Sequence, residues 1–110
     1  MFVLDTNVIS ELRRRKPHGA VVAWIEGVPA SQLMIAAVTI GEIQAGIEAT
    51  RESDPRKAGE IERWLDERLP VDNIVPADAA IFRTWAKLMH LASDDHMIDA
   101  LIAATALERG

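Results

Sequence analysis

Phe2-Val3-Leu4 is an apolar triplet that ends on a carboxylate, Asp5, and a helical pattern begins at the next residue. Three apolar residues bounded by a polar stop read as a short buried strand. In open α/β sheets, chemistry sits just beyond the carboxyl ends of the strands, and Asp5 falls there. A competing reading applies to the same position. Asp and Thr are favoured helix N-caps, so Asp5 or Thr6 can simply start the next helix.

The chain then repeats the strand-to-helix pattern. Val8, Ile9 and Leu12 carry helical spacing through Thr6 to Arg14, and Pro17 stops that helix. Its last turn holds Arg13, Arg14, Arg15 and Lys16. The favoured reading is that these cations complement the helix dipole in solvent, and the same run is a candidate phosphate-binding patch. Val21, Val22, Trp24 and Ile25 mark a second short helix ended by Gly27 and Pro29, with Trp24 expected in the core. Leu33-Met34-Ile35-Ala36-Ala37 lacks polar alternation, which suits a strand in a parallel sheet covered on both faces.

Thr39 to Ala49 reads as a helix with Ile40, Ile43 and Ile47 as its apolar stripe. Glu42 is expected in its first turn, where Thr39-x-x-Glu42 also matches a capping box. Asp54-Pro55 starts a fourth helix, with Ile61, Trp64 and Leu65 as its narrow apolar face. Asn73 to Pro76 is a third short strand, and Asp78 starts a fifth helix running to about His90.

From Met97 to Leu107 the residues are apolar on all sides apart from Asp99 and Thr105, so this last helix is expected to be buried. Ser93, Asp94 and Asp95 are available as caps, which leaves Asp99 without that job. A buried carboxylate is costly unless paired, hydrogen-bonded or bound to metal. Metal is one explanation of Asp99, and pairing with an arginine such as Arg83 is the other.

The alternation of strands and helices gives an α/β domain with a parallel sheet, in a chain of 110 residues that makes one domain, 1–110. There is no cysteine, which excludes disulfides and cysteine-ligated zinc. His18, His90 and His96 are scattered without metal-ligand spacing. The net charge of −5 argues against a protein held on nucleic acid by bulk charge alone. The start of the chain lacks a basic segment, so no signal peptide is expected, and no apolar run is long enough to span a bilayer.

Asp5 ends a strand, Glu42 opens the helix after a strand, and Asp99 opens the last helix. Right-handed crossovers bring strand ends and following helix starts to one edge of a parallel sheet, so the three carboxylates can converge. Two carboxylates about 4 Å apart repel by roughly 4 kcal/mol at an effective dielectric of 20. A hard divalent cation compensates, and an all-carboxylate site favours Mg²⁺ or Mn²⁺ over zinc. Such ions acidify water and neutralise charge building on a scissile phosphate, which suits phosphodiester hydrolysis. Thr6 and Asn7 are placed to orient a water or a phosphate oxygen.

Val3-Leu4-Asp5-Thr6-Asn7, Thr39-Ile40-Gly41-Glu42 and Ile98-Asp99-Ala100-Leu101-Ile102-Ala103-Ala104-Thr105-Ala106 together resemble the PIN domain. More narrowly, they resemble the VapC/FitB-like toxins of bacterial type II toxin–antitoxin systems. The resemblance covers the whole chain. It implies a three-layer PIN-like α/β domain with a central parallel sheet flanked by helices. It implies a cytoplasmic Mg²⁺- or Mn²⁺-dependent ribonuclease, dimeric and inhibited by a cognate antitoxin. By position, Asp5, Glu42 and Asp99 match the family's metal-binding acids, and Thr6 matches a frequent helper position.

A family member runs on after the last helix into a strand beside the first and then a further polar site residue. Here the sequence stops at Gly110, so a C-terminally shortened form lacking the last strands is expected, with strand one as a sheet edge and weaker metal binding. A catalytically impaired relative that only binds antitoxin is the alternative function. Phosphatase chemistry of the haloacid dehalogenase type wants a second Asp where Asn7 stands, and a receiver-like domain wants paired acids near strand one; neither pattern is present.

Overall fold

The computed structural model describes residues 2–13, 18–68 and 73–109. Strand β1 (Phe2–Leu4) runs parallel to β2 (Leu33–Ala36), and β2 runs parallel to β3 (Ile74–Val75). The order is β1-β2-β3, so β2 is central and β1 lies at an edge among the described residues. Phe2 stands opposite Leu33, Leu4 opposite Ile35, and Ile35 opposite Ile74.

Side chains alternate between faces along a strand. On one face, Leu4 and Ile35 pack with Ile9 of α1 (Thr6–Arg13), Ile25 of α2 (Gly19–Gly27), Ile40 of α3 (Ala37–Ser53) and Trp64 of α4 (Pro55–Arg68). On the other, Met34 and Val75 pack with Ile81 and Trp85 of α5 (Ala79–His90) and with Leu101 and Ala104 of α6 (Met97–Arg109). The result is the expected three-layer α/β arrangement, and it explains why β2 shows no polar alternation: both its faces are covered.

Two helix starts follow the sequence reading closely. Asp54 Oδ1 accepts the Lys57 amide at 3.1 Å with Pro55 opening α4, and Asp78 Oδ1 accepts the Ile81 amide at 3.0 Å to open α5. Each cap satisfies an amide that has no partner within its helix.

Three expectations are corrected. First, α3 begins at Ala37, straight out of β2, and runs to Ser53. Thr39 is therefore inside the helix and fully buried, and its hydroxyl has no hydrogen-bond partner. There is no capping box, and Glu42 sits in the second turn. The small Ala36 and Ala37 let the chain switch from strand to helix without a loop, and Ala36 caps with no side chain. Second, Trp24 is 42% exposed and meets Phe2 edge to face at 5.2 Å between ring centroids, so it is not core. Third, α6 buries one face only. Ala100, Ala104 and Thr105 point inward, while Met97, Ile98 and Leu107 are exposed. The helix packs mainly on α5 and also meets the sheet and α3.

Helices α3 and α4 form a pair with Ile47, Ala58 and Leu65 buried between them. Outside that core, Arg51 bridges Glu48 at 2.9 Å and Glu62 at 3.1 Å, and the Gln44 amide donates to Glu62 at 2.8 Å. The Arg51 hydrogen bond holds the Glu48 carboxyl below its usual range, and bonds from Gln44 and then Arg51 do the same for Glu62. Because both values are lowered in the folded state, the stabilisation is present above the ordinary value of 4.5 and is lost as pH falls through the lowered values. Arg51→Ala is expected to flatten the acid limb of stability against pH, measured by urea unfolding from pH 6 downward. Ile47→Ala, at a site 1% exposed, is expected to cost about 2–5 kcal/mol in the same assay at neutral pH.

Candidate active site

β1 ends at Leu4, and α1 begins at Thr6. The Asp5 carbonyl accepts the Ile9 amide at 3.3 Å, so Asp5 occupies the N-cap position by its backbone. Its exposed side chain lines a cavity of about 140 Å³ with Thr6, Asn7, Glu42, Asp99 and Ile102. A helix therefore starts at Asp5, and its carboxylate lies at the wall of a cavity. The three acids separated by 37 and 57 residues in the chain share one cavity at the carboxyl edge of the sheet.

A short contact in this cavity joins the start of α1 to the second turn of α3. Thr6 Oγ1 donates to Glu42 Oε1 at 2.6 Å, partly shielded from solvent. Sequence reasoning gave Thr6 to a water or phosphate; the structure gives its proton to Glu42. This bond fixes one carboxylate oxygen and leaves Oε2 as the remaining acceptor. Glu42 is also the shared wall of two further hollows. One, of about 290 Å³, runs past Ser10, Gly46 and Thr50. The other, of about 380 Å³, is lined by Asp94, Asp95, Met97, Ile98 and Asp99.

Asp99 lies in the first turn of α6, as expected, but it is exposed rather than buried. The burial cost inferred from an all-apolar helix does not apply, because α6 turns Asp99 away from its packed face. No ion pair joins it to Arg83 among the described residues.

The donor set is all oxygen, which is the chemistry of a hard divalent cation. Among the described residues no three Asp, Glu or His side chains close on a single point. The repulsion between the acids is accordingly weaker than full convergence would produce. Mg²⁺ keeps several waters and binds through one or two carboxylates, so this looser arrangement still fits it.

Other candidates lie elsewhere. His18 Nδ1 accepts the Ala20 amide at 3.2 Å and caps α2, His90 ends α5, and His96 lies in a 3₁₀ turn, Asp94–His96. None of them lines the cavity. Arg14, Arg15 and Lys16 lie outside the described residues, as does the side chain of Arg13. Asp94 and Asp95, read from sequence as caps, extend the acidic wall instead. Their charge, a few residues before Asp99, was the available signal.

The PIN domain model matches residues 2–110. The chain belongs to the PIN domain family. Among PIN proteins it is similar to the VapC ribonuclease Y4jK of Sinorhizobium fredii, with 36% identity over all of this chain and 82% of that protein. It is 38% identical to Ribonuclease VapC14 of Mycobacterium tuberculosis over 62% of this chain and 66% of that protein. A crystal structure of FitAcB from Neisseria gonorrhoeae superimposes with a TM-score of 0.83 at 29% identity, covering 98% of this chain and 81% of that one. A VapC/FitB-like toxin fits this PIN domain.

Thr6→Val keeps the shape of the side chain and removes the bond to Glu42. Loss of a hydrogen bond to a charged, partly exposed acceptor is expected to cost about 1 kcal/mol, read by thermal unfolding against wild type.

Proposed function

We propose that this PIN domain is a metal-dependent endoribonuclease toxin of a type II toxin–antitoxin system. In this reading it acts in the bacterial cytoplasm as a homodimer and is restrained by a cognate antitoxin protein. The observation that carries the reading is the single cavity shared by Asp5, Glu42 and Asp99, with Glu42 held by Thr6. The ribonuclease names of the VapC relatives support RNA as substrate, and the FitB relatives support a protein partner.

Asp5, Glu42 and Asp99 would hold Mg²⁺ or Mn²⁺. The bound ion would supply acidified water and neutralise charge on the scissile phosphate. The chain's own residues do the positioning. Thr6 fixes the Glu42 carboxylate, and the end of β1, the second turn of α3 and the first turn of α6 bring the three acids to one cavity. Asn7 offers a side-chain amide at the cavity wall to a phosphate oxygen. Arg13, Arg14, Arg15 and Lys16 are the proposed cationic contact for the RNA backbone.

The alternative is a catalytically impaired relative that binds antitoxin without cleaving RNA.

Incubation of a mixed RNA pool with Mg²⁺ or Mn²⁺ tests the two. Cleavage that chelator abolishes, and that Asp99→Asn lowers by about 100-fold or more, is the expected result. A well-folded chain that leaves the pool intact under both ions would overturn the nuclease reading and favour the second.

A further inference from the structure

The hollow of about 290 Å³ beside the acidic cavity has no part in the proposed catalysis. It is continuous with that cavity, because Thr6 and Glu42 line both. From the Thr6–Glu42 bond it follows the groove between α1 and α3. Ser10 lies one turn past Thr6, and Gly46 and Thr50 lie one and two turns past Glu42. The far end at Thr50 is thus about 12 Å along the helix from Glu42. Ile43 of α3 and Ile61 of α4, both half-buried, give the groove apolar walls.

Three features restrict what fits there. No Lys, Arg or His lines the groove among the described residues, and Glu42 stands at its mouth, so a phosphate is disfavoured. Gly46 is the second feature. It lies in the interior of α3, where alanine is the better helix former. A Cβ at Gly46 would meet no atom within 4 Å, so no packing within the described chain asks for a glycine. Its effect is a flat, open floor. The third feature is a pair of hydroxyls. Thr50 Oγ1 donates its proton to the Gly46 carbonyl at 2.9 Å, which leaves it an acceptor toward the groove. The Ser10 hydroxyl makes no hydrogen bond among the described residues and can donate or accept.

We propose that this groove is a nucleobase subsite that selects cytosine or adenine beside the cleaved bond. The inference rests on the ribonuclease reading of the acidic cavity. An RNA strand whose scissile phosphate sits at Asp5, Glu42 and Asp99 carries a neighbouring base, and the groove opens from that point. Single-stranded RNA is read by splaying out a base and hydrogen-bonding its edge. The ring lies between Ile43, Gly46 and Ile61, with its edge toward Ser10 and Thr50. Thr50, at the far end, meets the group on the base farthest from the sugar. That group is an amine in cytosine and adenine and a carbonyl in uracil and guanine. An acceptor bonds the amine and repels the carbonyl. An apolar side chain of a protein partner would fit the same walls but leave both hydroxyls without a partner.

Cleavage of oligocytidylate and oligouridylate of equal length tests it, together with isoleucine-methyl NMR of the metal-free chain titrated with each. Oligocytidylate is expected to be cleaved about threefold to tenfold faster in kcat/KM, a ratio that one hydrogen bond supplies. Thr50→Val removes the acceptor and should bring that ratio to one. Gly46→Leu fills the groove and should lower kcat/KM on both substrates by about tenfold or more. Gly46→Ala only narrows the groove, so it should lower kcat/KM less and melt no lower than wild type. The Ile43 and Ile61 methyl signals should move with oligocytidylate and stay still in Gly46→Leu. Cleavage without base preference, indifferent to all three substitutions, overturns the subsite and leaves the nuclease standing. Absence of cleavage overturns the nuclease reading. The methyl signals then decide the subsite alone: shifts with oligocytidylate uphold it, and still signals overturn it. Shifts caused by an amphipathic leucine–alanine helical peptide, but by neither oligonucleotide, assign the groove to a protein partner and overturn the subsite.

Discussion

Both faces of a parallel sheet must be covered, and in this chain every strand is followed at once, or after a few residues, by a helix that does the covering. Right-handed crossovers then force the helix starts to the carboxyl edge of the sheet. Leu4 and Ile35 drive one layer together, and Met34 and Val75 the other. The site is a by-product of that burial. Asp5 is the residue at which β1 stops, and Glu42 lies on the helix that β2 becomes without a loop. Their positions are set by apolar side chains that never touch the cavity.

Electrostatics complete what burial begins. The Thr6–Glu42 bond ties the first strand–helix junction to the second across 36 residues. It keeps one oxygen of Glu42 occupied in the acidic wall formed with Asp5 and Asp99. Asp99 reaches the same wall from the opposite layer, on a helix whose packed side is made of Ala100, Ala104 and Thr105. Small residues there let α6 lie close to α5 and the sheet while its first turn reaches the edge. The acidic cavity is open to solvent, which suits a hydrated ion and a long substrate better than a closed cage would.

Much of this was legible in the residues. Apolar runs gave the three strands, Asp54-Pro55 and Asp78 gave two helix starts, and the order of the acids relative to strands gave their common edge. The misreadings share a cause. Thr39, Trp24 and Asp99 were judged by local pattern, and each pattern had a tertiary competitor. Thr39 fits a cap until two alanines allow the helix to start earlier. Trp24 fits a core until the neighbouring edge strand leaves it against Phe2 in the open. The last helix looks buried all round until Met97, Ile98 and Leu107 are left exposed among the described residues.

The sequence by itself determined the class of fold, the family, and that Asp5 follows a strand and Asp99 opens the last helix. Those depend on hydrophobic period and residue order, and both are local or nearly so. The tertiary structure alone decided that Thr6 serves Glu42, that Asp99 lies exposed, and that Phe2 and Trp24 meet edge to face outside the core of the described residues. Those depend on which elements pack side by side, and burial between residues far apart in the chain sets that packing.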